Sequence, residues 1–413
     1  MRRIADPKLA PKGKTSYGWA SSHMPILVRT VEKLERKKPL QGMRVGFCLH
    51  ITKETSMLAM GTKRLGADVS ICAANPLSTQ DDIAAFLASE GIDVYAWRGE
   101  TAKEYHDCVR NMLRNKPDVI TDDGSDAHVT LHNENEFAKL APMGGTEETT
   151  TGVVRLKALE SDGLLRYPVI AVNNAYTKHL FDNRYGTGQS TIDGILRATG
   201  LLFAGKNFVV CGYGWVGRGI AARARGLNAK VFVTEVDPVK ALEAHMDGFG
   251  VIPIKEAVKV GDMFVTATGQ KGVIRGEHIE SMKEGAIMAN AGHFDVEVDT
   301  KYLETHNRSK REVRNNLEEY TLKSGKKVYL IGKGRIANLV AAEGHPPEVM
   351  ALSFSNQLLS IIHIIRNHKK MEKAVHTVPA EIDMQIASNS LEAMGIRIDK
   401  STREQTQYAK SWR

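Results

Sequence analysis

The chain has 413 residues, enough for two or three domains. Its 42% hydrophobic and 25% charged residues exclude disordered, collagen-like and disulfide-scaffold classes. The net charge of +8 is spread along the chain and favours anionic small molecules; no basic cluster interleaved with aromatics points to nucleic acid.

In chain order, residues 1–6 carry charges with no apolar core behind them, so no secretory signal is expected there. Arg44–Cys48 reads as a short buried strand and 53–65 as a helix closed by Gly66. A second strand follows at 67–73 and a second helix at 79–89, with Ser78 as its N-cap. A strand at 92–97, a polar helix at 101–114 and strands at 117–120 and 167–172 continue the alternation, which predicts a parallel, doubly wound sheet. The strands run into His50 and Thr52, Asn75, Asp122 and Asp123, and Asn173 and Asn174. Such sheets bind ligands beyond the carboxyl ends of their strands, so these groups predict a polar cleft.

The second half starts near Gly194. A strand, Asn207–Cys211, leads into Gly212-Tyr213-Gly214-Trp215-Val216-Gly217, a helix to Arg225 ended by Gly226, and a strand, Lys230–Thr234, with Glu235 at its end. A glycine turn between strand and helix, with an acid about 20 residues on, is the full dinucleotide fingerprint. Glu235 predicts NAD over NADP, because a carboxylate repels the extra phosphate. Further strands are expected at Met263–Thr266, Ala286–Asn290 and 328–331. The run Arg308-Ser309-Lys310-Arg311 with Arg314 sits among Glu304, Glu312, Glu318 and Glu319 and reads as a solvated loop or helix face. The apolar stretch at 358–365, broken by Ser360 and His363, is expected to fall short of a membrane span, so a cytoplasmic protein is expected. Cys48, Cys72, Cys108 and Cys211 lack CxxC spacing and read as reduced, buried residues rather than zinc ligands.

The expected fold is therefore α/β, two doubly wound Rossmann-like domains with a cleft between them and a small C-terminal segment. Residues 1–180, completed by 345–385, form the substrate domain, 190–343 the NAD domain and 386–413 the tail. The crossings lie at 175–193, with Lys178, His179, Asp182 and Asn183, and near His345. A hydride-transfer enzyme with its site between the domains follows.

Longer motifs fill this frame: Leu49-His50-Ile51-Thr52-Lys53-Glu54-Thr55, Asn75-Pro76-Leu77-Ser78-Thr79-Gln80-Asp81, Asp122-Asp123-Gly124 and Glu147-Glu148-Thr149-Thr150-Thr151-Gly152. Thr177-Lys178, Phe181-Asp182-Asn183, Gly292-His293-Phe294-Asp295 and Gly344-His345-Pro346 complete them. From about Trp19 to Tyr408 the sequence resembles the S-adenosylhomocysteine hydrolase family. The resemblance implies reversible hydrolysis of a nucleoside thioether with tightly bound NAD in a homotetramer: 3′-oxidation, loss of the C4′ proton, thiol elimination, water addition and re-reduction. It implies that Lys178 and Asp182 contact the oxidised hydroxyl, that Lys178, its pKa lowered by its neighbours, accepts that proton, and that Glu148 binds the ribose diol. Asp123 and His50 would act as base and acid, in either order, with Asn173 and Asn183 in support. Thr52, Glu54 and His345 would bind the purine, and Thr149, Thr150, Thr151, Thr268, His293 and Asn338 would join Gly212, Gly214, Trp215, Val216, Gly217 and Glu235 around NAD.

Three positions depart from the family pattern: Lys240 replaces an Asn beside the cofactor ribose, Glu343 replaces a Met near the purine, and the chain stops at Arg413 without the longer tail of many relatives. Glu343 raises an inosyl substrate as the alternative, which Glu54 opposes because a carboxylate facing O6 repels. A silent nucleotide-binding relative would carry broken cleft motifs, and a 2-hydroxy acid dehydrogenase leaves the Glu147–Gly152 and Lys178–Asn183 motifs unexplained.

Overall fold

A computed structural model describes residues 4–412. Met1 to Arg3, part of the stretch expected not to be a signal, and Arg413 lie outside the described residues. The first half lays down β1 (Arg44–Cys48), β2 (Asp68–Cys72), β3 (Asp93–Tyr95), β4 (Val119–Asp122), β5 (Gly144–Glu147) and β6 (Val169–Ala171). The second half adds β7 (Asn207–Cys211), β8 (Lys230–Thr234), β9 (Gly250–Val251), β10 (Met263–Thr266), β11 (Ala286–Asn290), β12 (Asn307–Arg314), β13 (Leu317–Leu322) and β14 (Lys327–Ile331); β15 (Val375–Thr377) closes the set.

The strands form two sheets, β15-β6-β5-β4-β1-β2-β3 and β12-β13-β14-β11-β10-β7-β8-β9. The first is parallel throughout. Its outer strand comes from the far end of the chain, Val375 pairing with Val169, so the chain returns after completing the second sheet. Strand order reverses between β1 and β4 in the first sheet and between β7 and β10 in the second. Ligand crevices open at such reversals; His50 and Asp123 follow one pair of strands, Gly212 and Ala267 the other. Apolar clusters cover each sheet, one pair built around Phe47 and Met112, the other around Phe208 and Phe264. Burial on both faces accounts for the continuous apolar strands such as β11.

Five expectations need correction. The second helix begins at Asp81, after Gln80, so Ser78 does not cap it; its hydroxyl meets His50 instead. The basic run is no loop or helix face but the antiparallel edge strand β12, whose Lys310 and Arg311 pair with Glu318 and Glu319 on β13. Alternating charges on an exposed edge also guard it against pairing with another chain. Strand β5 was not foreseen, because Gly144 and Gly145 depress strand propensity. They are needed there: a Cβ on Gly144 would meet the Pro168 carbonyl at 2.8 Å. The helix Ala380–Ala393 crosses residue 385 and buries Ile386 in the first core, so no boundary falls at 386. Finally, the apolar stretch belongs to the helix Pro347–Asn367. The segment Pro347–Lys370 is long and apolar enough to cross a membrane by length and composition, with 67% of its apolar window buried inside the protein. Ser353, Asn356 and Gln357 on that helix are fully buried, and all three hydrogen-bond to other parts of the fold.

Candidate active site

One cavity of about 1190 Å³ runs between the two sheets and takes its walls from both. His50, Thr52, Glu54, Asp123, Glu148, Lys178, Asp182 and Asn183 line it from the first half, Gly212, Glu235, Thr268, His293 and Asn338 from the second.

At its centre Lys178 is buried among acids. Its Nζ lies 3.1 Å from Asp182 Oδ1 and 3.6 Å from Glu148 Oε1, and donates to Asn183 Oδ1 at 2.8 Å. Lys178 lies in the short helix Tyr176–His179, and a π-helical turn, Asp182–Gly186, follows. That turn sets Asp182 and Asn183 back toward the lysine. Glu148 accepts from Gln357 Nε2 at 2.5 Å and from the Ser353 hydroxyl, both on the long helix. Burial pushes Glu148 up to about 7, against the pull of Lys178. Burial also works against the Asp182 carboxylate, yet Lys178 and His345 hold it below the usual range. Lys178 itself is raised rather than lowered: burial disfavours its charge, but Asp182 and Glu148 outweigh burial. The expectation of a depressed lysine is thus corrected by the sign of its neighbours.

Asn173 is not on the cavity wall. It stands one step behind, accepting from Asn183 Nδ2 at 3.1 Å and donating to Thr150 Oγ1 at 3.0 Å, so it couples the lysine cluster to the threonine run.

Across the cavity, His50 Nε2 lies 3.5 Å from Asp123 Oδ2, and His293 Nδ1 lies 3.5 Å from Asp123 Oδ1. His50 Nδ1 is 2.7 Å from Ser78 Oγ, which itself donates to the Asn75 carbonyl at 3.0 Å. The hydroxyl has one hydrogen and two acceptors within reach: given to Asn75 it sets the ring hydrogen of His50 on Nδ1, and given to Nδ1 it sets that hydrogen on Nε2, toward Asp123. Burial lowers His50 to about 4, only partly offset by Asp123, so the ring is neutral at neutral pH. Gly124 admits His293 to this corner, because a Cβ there would strike the imidazole.

At the remaining end, Thr52 caps the helix Lys53–Arg64 through Thr55 N. Glu54 is buried, its pKa raised by burial; Oε1 lies 3.2 Å from Lys53 Nζ but receives no aligned hydrogen bond and remains a free acceptor. Lys53 Nζ also reaches Glu343 Oε2 at 3.1 Å. His345 Nε2 accepts from Asn338 Nδ2 at 3.0 Å, which leaves Nδ1 to face Asp182 Oδ2 at 3.3 Å.

The second half fits a dinucleotide. Gly212 has φ +100, a value side chains rarely adopt, and a Cβ there would meet the Ala267 carbonyl at 2.9 Å. A Cβ on Gly217 would overlap the Gly212 carbonyl, whereas Gly214 faces open space. Gly217 therefore packs the turn from behind without lining the cavity. The helix Trp215–Gly226 starts with no side-chain cap, so its first amides are free for phosphate. Glu235 accepts from Tyr213 N at 2.7 Å and Val236 N at 2.7 Å, which fixes it at the cavity rim. Lys240 lines the cavity but is paired with Asp237 at 3.3 Å. Thr149, Thr150, Thr151, Trp215 and Val216 also face the cavity, and Asn338 Oδ1 is a buried acceptor without a partner.

Three supports went unread in the sequence. Ser353 and Gln357 bracket Glu148; polar residues at helical spacing inside an apolar helix were their signal. Glu297 accepts from Thr268 N, Thr268 Oγ1 and Gly269 N at 3.0, 2.7 and 2.8 Å, and nothing local in the sequence marks it.

A two-domain α/β enzyme that holds NAD between its sheets and a second small molecule opposite is the class these features define. Residues 2–143 match the S-adenosyl-L-homocysteine hydrolase model and 183–344 the NAD binding domain of S-adenosyl-L-homocysteine hydrolase. An adenosylhomocysteinase of Sulfurisphaera tokodaii is 56% identical over 411 residues, 100% of this chain and 99% of its own length, and one of Sulfolobus acidocaldarius is equally similar. An S-inosyl-L-homocysteine hydrolase of Methanocaldococcus jannaschii is 52% identical over 413 residues, 100% of this chain and 99% of its own. The chain belongs to the S-adenosyl-L-homocysteine hydrolase family, and its cofactor is NAD.

Proposed function

We propose that the chain catalyses reversible hydrolysis of S-adenosyl-L-homocysteine to adenosine and L-homocysteine in the cavity between residues 1–180 (completed by the returning C-terminal part) and 190–343. The observation that carries this reading is the buried Lys178 held by Asp182, Glu148 and Asn183 on a wall facing the dinucleotide turn. NAD, when bound, supplies a reversible two-electron oxidation at C3′ that acidifies the C4′ proton.

The chain's own residues do the rest. Glu148, Lys178 and Asp182 grip the ribose diol. Lys178 takes the 3′-hydroxyl proton by exchanging its own with Glu148, whose pKa near 7 suits that traffic. Asn183, backed by Asn173, orients Lys178. The neutral Nε2 of His50 and the Asp123 carboxylate exchange the C4′ proton and the proton that leaves with the thiol or arrives with water. Thr52 and Glu54 take the purine, Glu54 accepting from the exocyclic amine, and His345 with Asn338 closes the other side. Glu235, Thr149, Thr150, Thr151, Thr268 and Asn338 hold NAD, with His293 at the junction of the two ligands. A cytoplasmic homotetramer completes the reading; the exposed apolar Val239, Leu242 and Met246 support an interface.

The second reading is an inosyl substrate. Relatives named for each substrate are almost equally similar to the chain, at 56% and 52% identity, and Lys53 shared between Glu54 and Glu343 softens the acid beside the base. Thiol release from the NAD-loaded protein, offered both thioethers in parallel, decides. Faster release from the adenosyl substrate supports the main reading, faster release from the inosyl substrate replaces it, and release from neither overturns both.

A further inference from the structure

Asp122 and Asp123 stand at the end of β4, Glu147 and Glu148 at the end of β5, and Asp122 pairs in register with Glu147. Successive side chains on a strand point to opposite faces. The second acid of each doublet lines the cavity. The first is fully buried behind the wall, where no step of the reaction touches it. A buried carboxylate is costly unless donors answer it, so the donors each one meets show its use.

Glu147 meets three. Its Oε1 accepts from Gly124 N and Thr149 N, both at 2.9 Å, and its Oε2 accepts from Ser125 Oγ at 2.7 Å. Gly124 and Ser125 follow Asp123 on one loop and Thr149 follows Glu148 on the other, so a single carboxylate ties the two loops together. Asp122 adds shorter ties: it accepts from Asp123 N and His128 N, both at 2.9 Å, and its carbonyl accepts from Glu148 N at 2.9 Å. The chain makes room for this arrangement with glycines. A Cβ on Gly152 would strike the Glu147 carboxylate, and one on Gly124 would strike His293.

We propose that Glu147 is a positioning residue: it sets the gap between Asp123 and Glu148 and, through Gly124, the seat of His293 from the second half. The inference rests on the function proposed above, in which Glu148 grips the ribose diol while Asp123 serves the neighbouring C4′. Both acids have to meet one sugar at once, so the spacing of their loops decides the rate. Misplacement by about 1 Å costs on the order of a hundredfold in such reactions. A carboxylate suits the task, since it accepts at both oxygens and presents no N–H to the amides it holds. Burial, with the charges of Asp122 and Asp123, holds the Glu147 carboxyl well above the ordinary range. A raised acid in that place has one rival role, a proton store behind Asp123.

Two conservative substitutions separate holding from storing. Glu147→Gln loses the proton but keeps Oε1 for both amides and turns a donor toward Ser125 Oγ, whose hydroxyl still has the Gly152 carbonyl at 3.0 Å. Glu147→Asp keeps the proton but is one methylene too short to hold both loops. Thiol release per NAD-loaded chain, with bound NAD counted after gel filtration, should stay close to the parent in Glu147→Gln. It should fall about a hundredfold in Glu147→Asp, in kcat more than in KM, because Thr52 and Glu54 keep their hold on the base. Amide hydrogen exchange at Gly124 and Thr149 reads the tie without substrate: protection should persist in Glu147→Gln and drop in Glu147→Asp. Parent turnover or parent protection in Glu147→Asp overturns the proposal, and so does a Glu147→Gln variant as slow as Glu147→Asp. A parent chain that releases thiol from neither thioether, with the exchange pattern as expected, counts against the function proposed above and supports the tie.

Discussion

Lys178 and His50 face the same cavity from opposite walls, and their surroundings differ in kind. Lys178 has a carboxylate on either side, an amide oxygen at 2.8 Å, and a buried serine and glutamine behind one of the acids. His50 has one fixed partner at Nδ1 and, at Nε2, a carboxylate 3.5 Å away with which it forms no hydrogen bond. A saturated cluster holds a ligand in one orientation, because every charge is answered and every rotamer is pinned. An unsaturated one is short of a proton and can give or take it cheaply. The comparison assigns orientation of the sugar to the lysine wall and proton traffic at the reacting carbon to the histidine wall.

The largest effect should come from breaking the saturated cluster. Lys178→Gln keeps bulk and a donor but removes the charge that answers Glu148 and Asp182. Leaving buried carboxylates unanswered costs about 3–5 kcal/mol in comparable cases, and losing a positioned proton acceptor costs roughly 10²–10⁴ in rate. Urea unfolding above pH 7 and thiol release measure the two. A variant within threefold of the parent in turnover would remove Lys178 from the chemistry.

The two walls should also respond to pH in opposite senses. Glu148 has a folded pKa of about 7 against an ordinary 4.5. Its contribution to stability is full below pH 4.5 and is lost as pH rises to 7. His50 has a folded pKa of about 4 against 6.5, so its contribution is full above pH 6.5 and is lost as pH falls to 4. Between pH 4.5 and 6.5 the two slopes oppose, each about 1.4 kcal/mol per pH unit. Relative to the parent, Glu148→Gln should gain stability with rising pH across that window and His50→Gln should lose it. Parallel curves for parent and both variants would show that neither wall titrates as described.

The sequence carried the strands, the glycine turn and the first ring of polar residues, because each is a local pattern: apolar runs of fixed length, glycines between strand and helix, acids at strand ends. It did not carry the antiparallel pair β12 and β13, where charge masked strand character, nor β5, where two glycines did, nor the short edge strands β9 and β15. Nor did it carry the sign of the Lys178 shift, which depends on which charges the fold brings within 4 Å. Ser353 and Glu297 escaped for the same reason, each lying far along the chain from the residues it supports. Ser353→Ala tests that kind of support. With Gln357 still in place, Glu148 loses one of its two donors from the long helix, at a cost of about 1–3 kcal/mol. Turnover should fall severalfold at neutral pH with little change in NAD retention. Loss of NAD instead would move Glu148 from the sugar to the cofactor.

The smallest predicted effect lies at the purine end, where Lys53 divides its charge between buried Glu54 and exposed Glu343. An exposed ion pair is worth no more than about 1 kcal/mol, so Glu343→Gln should leave stability nearly untouched. Its consequence is for choice of base. With Glu343 neutral, Lys53 turns wholly to Glu54 and screens the carboxylate that favours an exocyclic amine and repels a ring carbonyl. The ratio of kcat/KM for adenosyl over inosyl thioether should then fall, by up to about fivefold on that energy scale. The change should arise in KM rather than kcat, because the pair touches the base and not the reacting carbon. A rise in the ratio would mean that Glu343 acts on the base through space and not through Lys53, and would place specificity in the acid itself.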